Sequence, residues 1–168
     1  MEEIQTQRLF LSKIDYCDST FYIELVNTPG WLKYIGNKNI HNTLDANNYI
    51  KNILSNLQTS YWTVHLKAEQ KPIGAISLIK RDYLDAHDLG FAFLPLYTHM
   101  GYAYEATHAI IEQLKREQIH SLLYAIAIPE NKSSIQLLMR LGFRFVEAIT
   151  AEGAVLNLYK LTLKEEYN

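Results

Sequence analysis

The sequence predicts an α/β fold, a mixed and mostly antiparallel sheet of about seven strands with four helices. Short runs with apolar residues at every second position alternate with longer runs at helical spacing, and Pro, Gly, Asn or Asp separate them. The stretch from Leu94 to Gln113 joins a strand's end, a glycine turn and a helix's first turn without a break. The run Leu122 to Ile128, LLYAIAI, follows that helix and is apolar at every position, which predicts a central strand covered on both faces. Strand, helix and second strand form a βαβ unit, so its two strands are expected to be parallel, with a right-handed crossover.

The elements follow in order. Arg8 to Ile14 reads as a half-buried opening strand. Asp15 caps a helix that runs to about Asn27 with Phe21 and Leu25 on one face, and Pro29-Gly30 ends it. The loop Trp31 to Gly36 carries more apolar bulk than a connector needs; Trp31 and Tyr34 either line a pocket or cover the core. A second helix begins near Thr43, with Asp45 in its first turn and Tyr49, Ile50, Ile53, Leu54 and Leu57 as its buried stripe. Tyr61 to Lys67 and Pro72 to Ile79 form a hairpin, Lys80 to Ala86 is a charged connector, and His87 to Leu94 is the fourth strand, stopped by Pro95. The third helix follows Gly101 with Ala103, Ala106, Ile110 and Leu114 on one face. After Pro129, Asn131 or Ser133 caps a fourth helix, with Ile135, Leu138 and Met139 facing inward until Leu141-Gly142. Arg144 to Thr150 and Val155 to Leu163 close the sheet as a hairpin around Glu152-Gly153.

At 168 residues the chain suits one domain, residues 1 to 168. The longest apolar run is far too short for a membrane-spanning helix. The start MEEIQTQRLFL is acidic and lacks the basic flank and apolar core of a secretory signal, and Cys17 is the single cysteine, so a reducing cytoplasm is expected. The 18 acidic and 16 basic residues nearly cancel and the basic ones are scattered, which argues against nucleic acid as a partner. No glycine pair fits G-x-G-x-x-G or a Walker loop, and the six histidines do not cluster at metal-ligand spacing, so no metal is expected.

A helix that begins in a turn aims unpaired N–H groups and its positive dipole end at what lies in front of it, most often phosphate. Small residues at Gly101 and Ala103 let an anion approach the main chain. The stretch THMGYAYEA resembles the acetyl-CoA pyrophosphate loop of the GCN5-related N-acetyltransferases (GNAT), whose pattern is Gln/Arg-x-x-Gly-x-Gly/Ala. TQRLFLSKI, IGAISLIKRD with DLGFAFLP, and IPENKSSIQLLMRLGF resemble the first strand, the third and fourth strands and the fourth helix of its ribosomal-protein (RimJ/RimL-like) group. The motifs stand in the family's order over nearly the whole chain. Thr98 stands where Gln or Arg is usual, and His99 where this group often has glycine.

The resemblance implies a GNAT fold splayed between the fourth and fifth strands, with acetyl-CoA as co-substrate. His99, Met100, Gly101, Tyr102, Ala103 and Tyr104 would surround the pyrophosphate. Phe93 and Leu94 would pair through their backbone with the pantetheine arm, and Asn131 and Ser134 would reach it from the fourth helix. The acceptor would be a primary amine, on a protein N-terminus or a small molecule, and the enzyme a monomer or homodimer.

Acetyl transfer to an amine needs a neutral nitrogen, a polarised thioester carbonyl and a tolerable thiolate. A free α-amino group, with a pKa of about 8, needs little help from a base, whereas lysine at about 10.4 needs more. Asp88, at the start of the fourth strand, is the carboxylate for this proton, or else an edge carboxylate that is merely solvated; Glu130 and Glu147 are alternatives. A backbone N–H near Leu94 would polarise the carbonyl. Relatives place a tyrosine acid seven residues after the helix's asparagine, where this chain has Leu138. Ser134, one turn from Asn131, would replace it, or is an ordinary helix-interior serine. Cys17 is expected to fill the core. Trp31, Tyr34 and Trp62 are the aromatic candidates for the acceptor side. Because of His99 and Leu138, a non-catalytic acetyl-CoA-binding module is the second reading.

Overall fold

The computed structural model describes residues 3–164. Its sheet has eight strands in the order β1-β2-β3-β4-β5-β6-β8-β7, and five α-helices accompany it. The strands are β1 (Ile4–Gln5), β2 (Leu9–Lys13), β3 (Thr59–Leu66), β4 (Lys71–Lys80), β5 (His87–Phe93), β6 (Leu122–Ala127), β7 (Arg144–Ala151) and β8 (Ala154–Thr162). The helices are α1 (Ser19–Val26), α2 (Pro29–Tyr34), α3 (Thr43–Ser55), α4 (Tyr102–Glu117) and α5 (Lys132–Arg140). All pairings are antiparallel except that of β5 with β6, which is parallel, as the βαβ pattern requires.

The eighth strand is β1, two residues beside β2 and too short to leave a period in the sequence. The fifth helix is α2, at the place expected to be a loop. Pro29 does not end a helix but begins one: Thr28 Oγ1 accepts a hydrogen bond from the Trp31 N–H, and a proline at the first helical position gives up only an N–H that would be unpaired there. Asp15 caps a single 3-10 turn, Tyr16–Asp18, with a reciprocal bond from its own N–H to Asp18, and α1 starts directly after it.

The two faces of the sheet hold different cores. Trp62, Val64, Ile76, Leu89 and Leu123 pack against Ala106, Ile110 and Leu114 of α4. On the opposite face Ala75 and Leu94 meet Phe21, Tyr22 and Leu25 of α1 and Ile50 and Ile53 of α3. Because a strand's side chains alternate between faces, Trp62 and Tyr61 go to opposite sides. Trp62 is fully buried beneath the Lys13 ammonium, which lies 3.7 Å from its ring centroid.

Several packing expectations need correction. Leu57 lies beyond the end of α3 and is fully exposed, and Leu54 and Met139 are largely exposed, so the buried stripes of α3 and α5 are narrower than their apolar residues imply. Cys17 sits in the 3-10 turn and is exposed rather than part of the core. In β6 buried positions alternate with half-buried ones, because one face of the strand looks into a cleft.

Candidate active site

Proline stops β5, a 3-10 turn (Pro95–Tyr97) follows, and the loop 98–101 leads into α4. Gly101 caps α4 in the left-handed region at φ +82° and provides no side-chain acceptor. Among the described residues, the N–H groups of residues 99 to 104 donate to no protein acceptor; the series resumes at Glu105, which donates to the Gly101 carbonyl. Arg8 holds this loop from behind. Its Nη1 donates to the Met100 carbonyl, its Nε pairs with Glu105 at 2.7 Å, and its guanidinium lies 4.4 Å from the Tyr102 ring centroid. Although partial burial pushes the Glu105 carboxyl up, hydrogen bonds from Thr6 and Arg8 and the Arg8 charge hold it below the usual range. The Met100 carbonyl is thereby turned toward Arg8. His99 is held at φ +60°, where a side chain is strained, which accounts for glycine being common at this position in similar loops.

Beside the loop the sheet parts. β5 and β6 share a single paired position, Asp88 with Tyr124, and separate toward their C-terminal ends. The Leu94 N–H donates to Ile73 on β4 and its carbonyl accepts from Tyr97, so both its backbone groups are engaged. Leu94 is also buried in the α1–α3 core, so the expectation that its backbone serves a bound molecule needs correction. Antiparallel alternation then turns the Phe93 backbone groups away from β4 and toward the gap. The Phe93 ring lies across Gly74 on the neighbouring strand, where an added Cβ would stand 2.4 Å from it. On the far side of the gap, Asn131 Oδ1 accepts the Ser134 N–H and caps α5, which leaves Asn131 Nδ2 and the Ser134 hydroxyl facing the cleft region.

Loop and gap belong to one cavity of about 840 Å³. Ala75, Ser77, Gly90 and Ala92 of β4 and β5 contribute small groups to its wall, and a Cβ on Gly90 would stand 2.7 Å from Ser77 Oγ. Asp88 lies at its inner end. It is buried, not solvated at an edge; Arg81 Nε donates to its Oδ2 at 2.7 Å, and Oδ1 has no hydrogen-bond partner. Burial pushes its carboxyl above the usual range, against the pull of the Arg81 charge and hydrogen bond and of the Ile126 amide. Arg81 Nη1 reaches on to Glu152 at the β7–β8 turn, 2.6 Å away, and the Tyr83 hydroxyl donates to the same Glu152 oxygen. The hairpin tip is thereby tied to the β4–β5 connector across the end of the cavity.

The structure brings together Asp88, Phe93, His99, Gly101, Ala103, Tyr104, Asn131, Ser134, Trp31 and Tyr34 on this one cavity. Leu94, Met100, Tyr102 and Trp62 do not line it. For Trp62 the face is the reason, and Tyr61 occupies the place expected of it. The Tyr102 ring packs against the Arg8 guanidinium instead, and the Met100 side chain is exposed. Glu130 and Glu147 do not line it either, whereas Arg81 and Glu152, which sequence reasoning treated as connector and turn, do. Leu138 also lines the cavity, 1% exposed. No group of three or more His, Cys, Asp or Glu side chains suited to a metal ion occurs among the described residues, and no helix there is long and apolar enough to cross a membrane.

A family model described as an acetyltransferase (GNAT) domain matches residues 8–144. The chain belongs to the GNAT acetyltransferase family. This GNAT chain is 28% identical over 172 residues to "Uncharacterized N-acetyltransferase YnaD" of Bacillus subtilis (strain 168), a match covering 98% of this chain and 99% of the relative. Among solved structures, the ribosomal-protein-S5-alanine acetyltransferase of Vibrio fischeri has the same fold with a TM-score of 0.77 at 15% identity, covering 98% of each chain. The spermidine N-acetyltransferase of Vibrio cholerae, solved with CoA and spermine, matches with a TM-score of 0.79 at 14% identity, over 94% of this chain and 97% of that one. The GNAT chain is an N-acetyltransferase, and the parted β5–β6 pair beside the α4 N-terminus is the cleft of its fold.

Proposed function

We propose that the cavity binds acetyl-CoA with its diphosphate on the amides of residues 99 to 104, and that the enzyme moves the acetyl group directly to a primary amine. The carrying observation is the juxtaposition of those unpartnered amides with a sheet that parts next to them. The fit is chemical. An anion is matched by N–H groups and a helix dipole, and an amide-bearing arm by the Phe93 backbone in the gap and by Asn131 Nδ2. The bound thioester supplies the acetyl carbon. The Phe93 N–H replaces Leu94 as the donor that polarises its carbonyl oxygen.

The amine enters past Trp31 and Tyr34, opposite the hairpin tip held by Glu152. Its nitrogen forms a bond to the acetyl carbon, the carbon–sulfur bond breaks, and the amine proton passes to Asp88 Oδ1, directly or through water. Ser134 hydrogen-bonds the departing thiolate, whose conjugate thiol has a pKa of only about 8.5. Leu138, apolar and buried, cannot perform that task.

The acceptor is a peptide α-amine or a small amine, which matches the range named for the two solved acetyltransferases above. Thiol release from acetyl-CoA, measured with a panel of N-terminal peptides, polyamines and lysine side-chain analogues, tests this reading. Release stimulated by one class of amine is expected. Stabilisation by acetyl-CoA without release for any amine would instead support a binding module.

A further inference from the structure

The charges that line the main cavity are unevenly committed. Among the described residues Asp88 and Glu152 are its carboxylates, and one guanidinium, Arg81, holds both, at 2.7 and 2.6 Å. Its cations are Lys38, Arg81 and Arg140. Arg140 belongs to the loop side, 4.8 Å from the Tyr104 ring centroid. Lys38 lines the cavity from the segment that follows α2, as Trp31 and Tyr34 do from α2 itself, and it has no carboxylate within ion-pair distance among the described residues. The position of Lys38 is built. The Ile35 and Gly36 N–H groups both donate to the Trp31 carbonyl, Gly36 turns the chain at φ +114°, and the Asn39 N–H donates to Asn37 Oδ1 at 2.8 Å, so a side-chain turn brackets Lys38. Asn27 Nδ2 fastens the end of this segment by donating to the Ile40 carbonyl at 2.7 Å. Two more donors stand nearby: the Lys33 ammonium lies 4.9 Å from the Tyr34 ring centroid, and the buried Trp31 indole N–H has no acceptor in the protein.

This side of the cavity therefore offers positive charge and a donor without a partner, and no carboxylate that Arg81 does not already hold. A polyamine brings several ammonium groups to such a wall and is repelled by it, whereas an amine whose body carries a carboxylate is attracted. We propose that Lys38 selects acceptors with a carboxylate close to the reacting amine, supplied by an acidic amino acid or by an acidic residue next to a peptide N-terminus, and that it disfavours polyamines. The inference rests on the amine-acetylation reading above and narrows it to one class of acceptor. It makes Lys38 a specificity residue, acting on which amine is bound and not on the bonds that form and break.

Initial rates of thiol release from acetyl-CoA compare free aspartate, the amidated peptides Ser-Asp-Ala-Ala and Ser-Asn-Ala-Ala, and spermidine. In the wild type kcat/KM for the Asp peptide should exceed that for the Asn peptide by about three- to fivefold, the range of a partly exposed ion pair, with the difference in KM. Added salt should shrink the ratio, and spermidine should be poorer than either peptide. Lys38→Gln should bring the ratio close to one, and Lys38→Glu should invert it and improve spermidine. Release with free aspartate supports the amino acid as the source of the carboxylate, and release with the Asp peptide but not aspartate supports the N-terminus. Equal values for the two peptides in the wild type, a preference for spermidine, or a ratio that survives in both variants would overturn the inference and leave amine acetylation standing. Binding of acetyl-CoA with no release for any amine would take down the acetylation reading together with it.

Discussion

Arg81 Nε lies 2.7 Å from Asp88 Oδ2, and the other oxygen of the same carboxylate has no partner. A carboxylate held on one side, with its other oxygen buried and unpaired, is fixed in direction yet keeps an oxygen able to bond a proton. Asp88→Asn keeps the shape and removes the basicity. Its kcat should fall by about 10²-fold or more, the usual contribution of a positioned base, with acetyl-CoA affinity unchanged. Thiol-release kinetics beside calorimetry measure both; an unaltered kcat would leave Asp88 with a structural role alone.

The pH dependence has a defined sign. Burial raises the Asp88 pKa, while the charge and hydrogen bond of Arg81 lower it. A base acts when ionised, so kcat should decline as pH falls through that raised value. Arg81→Gln removes the guanidinium charge, so the midpoint of the decline should move to higher pH. The neighbouring groups are Glu152, which acts in the opposite direction to Arg81, Tyr61 and the Ile126 amide. In stability the same group works the other way. The native state binds the extra proton between the ordinary and the raised pKa, so its favourable contribution is complete below that window and lost as pH rises through it. Asp88→Asn should flatten that slope in a series of chemical denaturations.

The parts of this site that the sequence displayed are those made by local geometry. Pro95, Gly101 and the helical spacing after it mark a strand-turn-helix, and Asn131 marks a cap, because each acts within a few residues of itself. The contacts between distant segments were hidden. Glu152 meets Arg81 because the β7–β8 turn and the β4–β5 connector lie at the same end of the sheet, and nothing in Glu152-Gly153 beyond a turn signal records that contact. Trp62 has the bulk expected of a cleft residue, but the phase of β3, set by its pairing with β4, puts Tyr61 there instead. The same phase argument decides between Phe93 and Leu94. The α2 helix differs from expectation for another reason, since Pro-Gly can open a helix as well as close one, and the Thr28 cap decides the matter.

Gly101 is held at φ +82°, and a Cβ there would stand 3.2 Å from Arg8 Nη2. Gly101→Val therefore strains the backbone and crowds the side chain that fixes the loop. Acetyl-CoA affinity should fall at least tenfold, in line with a left-handed penalty of about 1–2 kcal/mol plus loss of the main-chain approach. A thermal melt without ligand tests whether the fold survives. Undiminished affinity would remove the loop from the binding site.

Gly74 reports on the opposite wall. A Cβ at 2.4 Å from the Phe93 ring has no room, so Gly74→Ala must displace that ring. Overpacking of this kind destabilises by about 1–3 kcal/mol, readable as a lower denaturation midpoint. Since the Phe93 backbone borders the gap, acetyl-CoA binding should weaken as well, whereas Gly30→Ala, with nothing within 4 Å of the added Cβ, should leave binding unchanged.

Ser134 separates proton chemistry from binding. Its N–H is already committed to the Asn131 cap, so Ser134→Ala retains that bond and deletes only the hydroxyl. If the hydroxyl stabilises the departing thiolate, kcat should drop by about tenfold, one hydrogen bond to a charged group, with acetyl-CoA affinity nearly constant. The loss should be smaller with an acyl donor whose thiol has a lower pKa, because a better leaving group depends less on a donor. A serine that merely packs in α5 would show no such dependence. Equal losses across donors of different thiol pKa would therefore move the thiolate's stabilisation to another group, with the Asn131 carboxamide next in line on the same cavity.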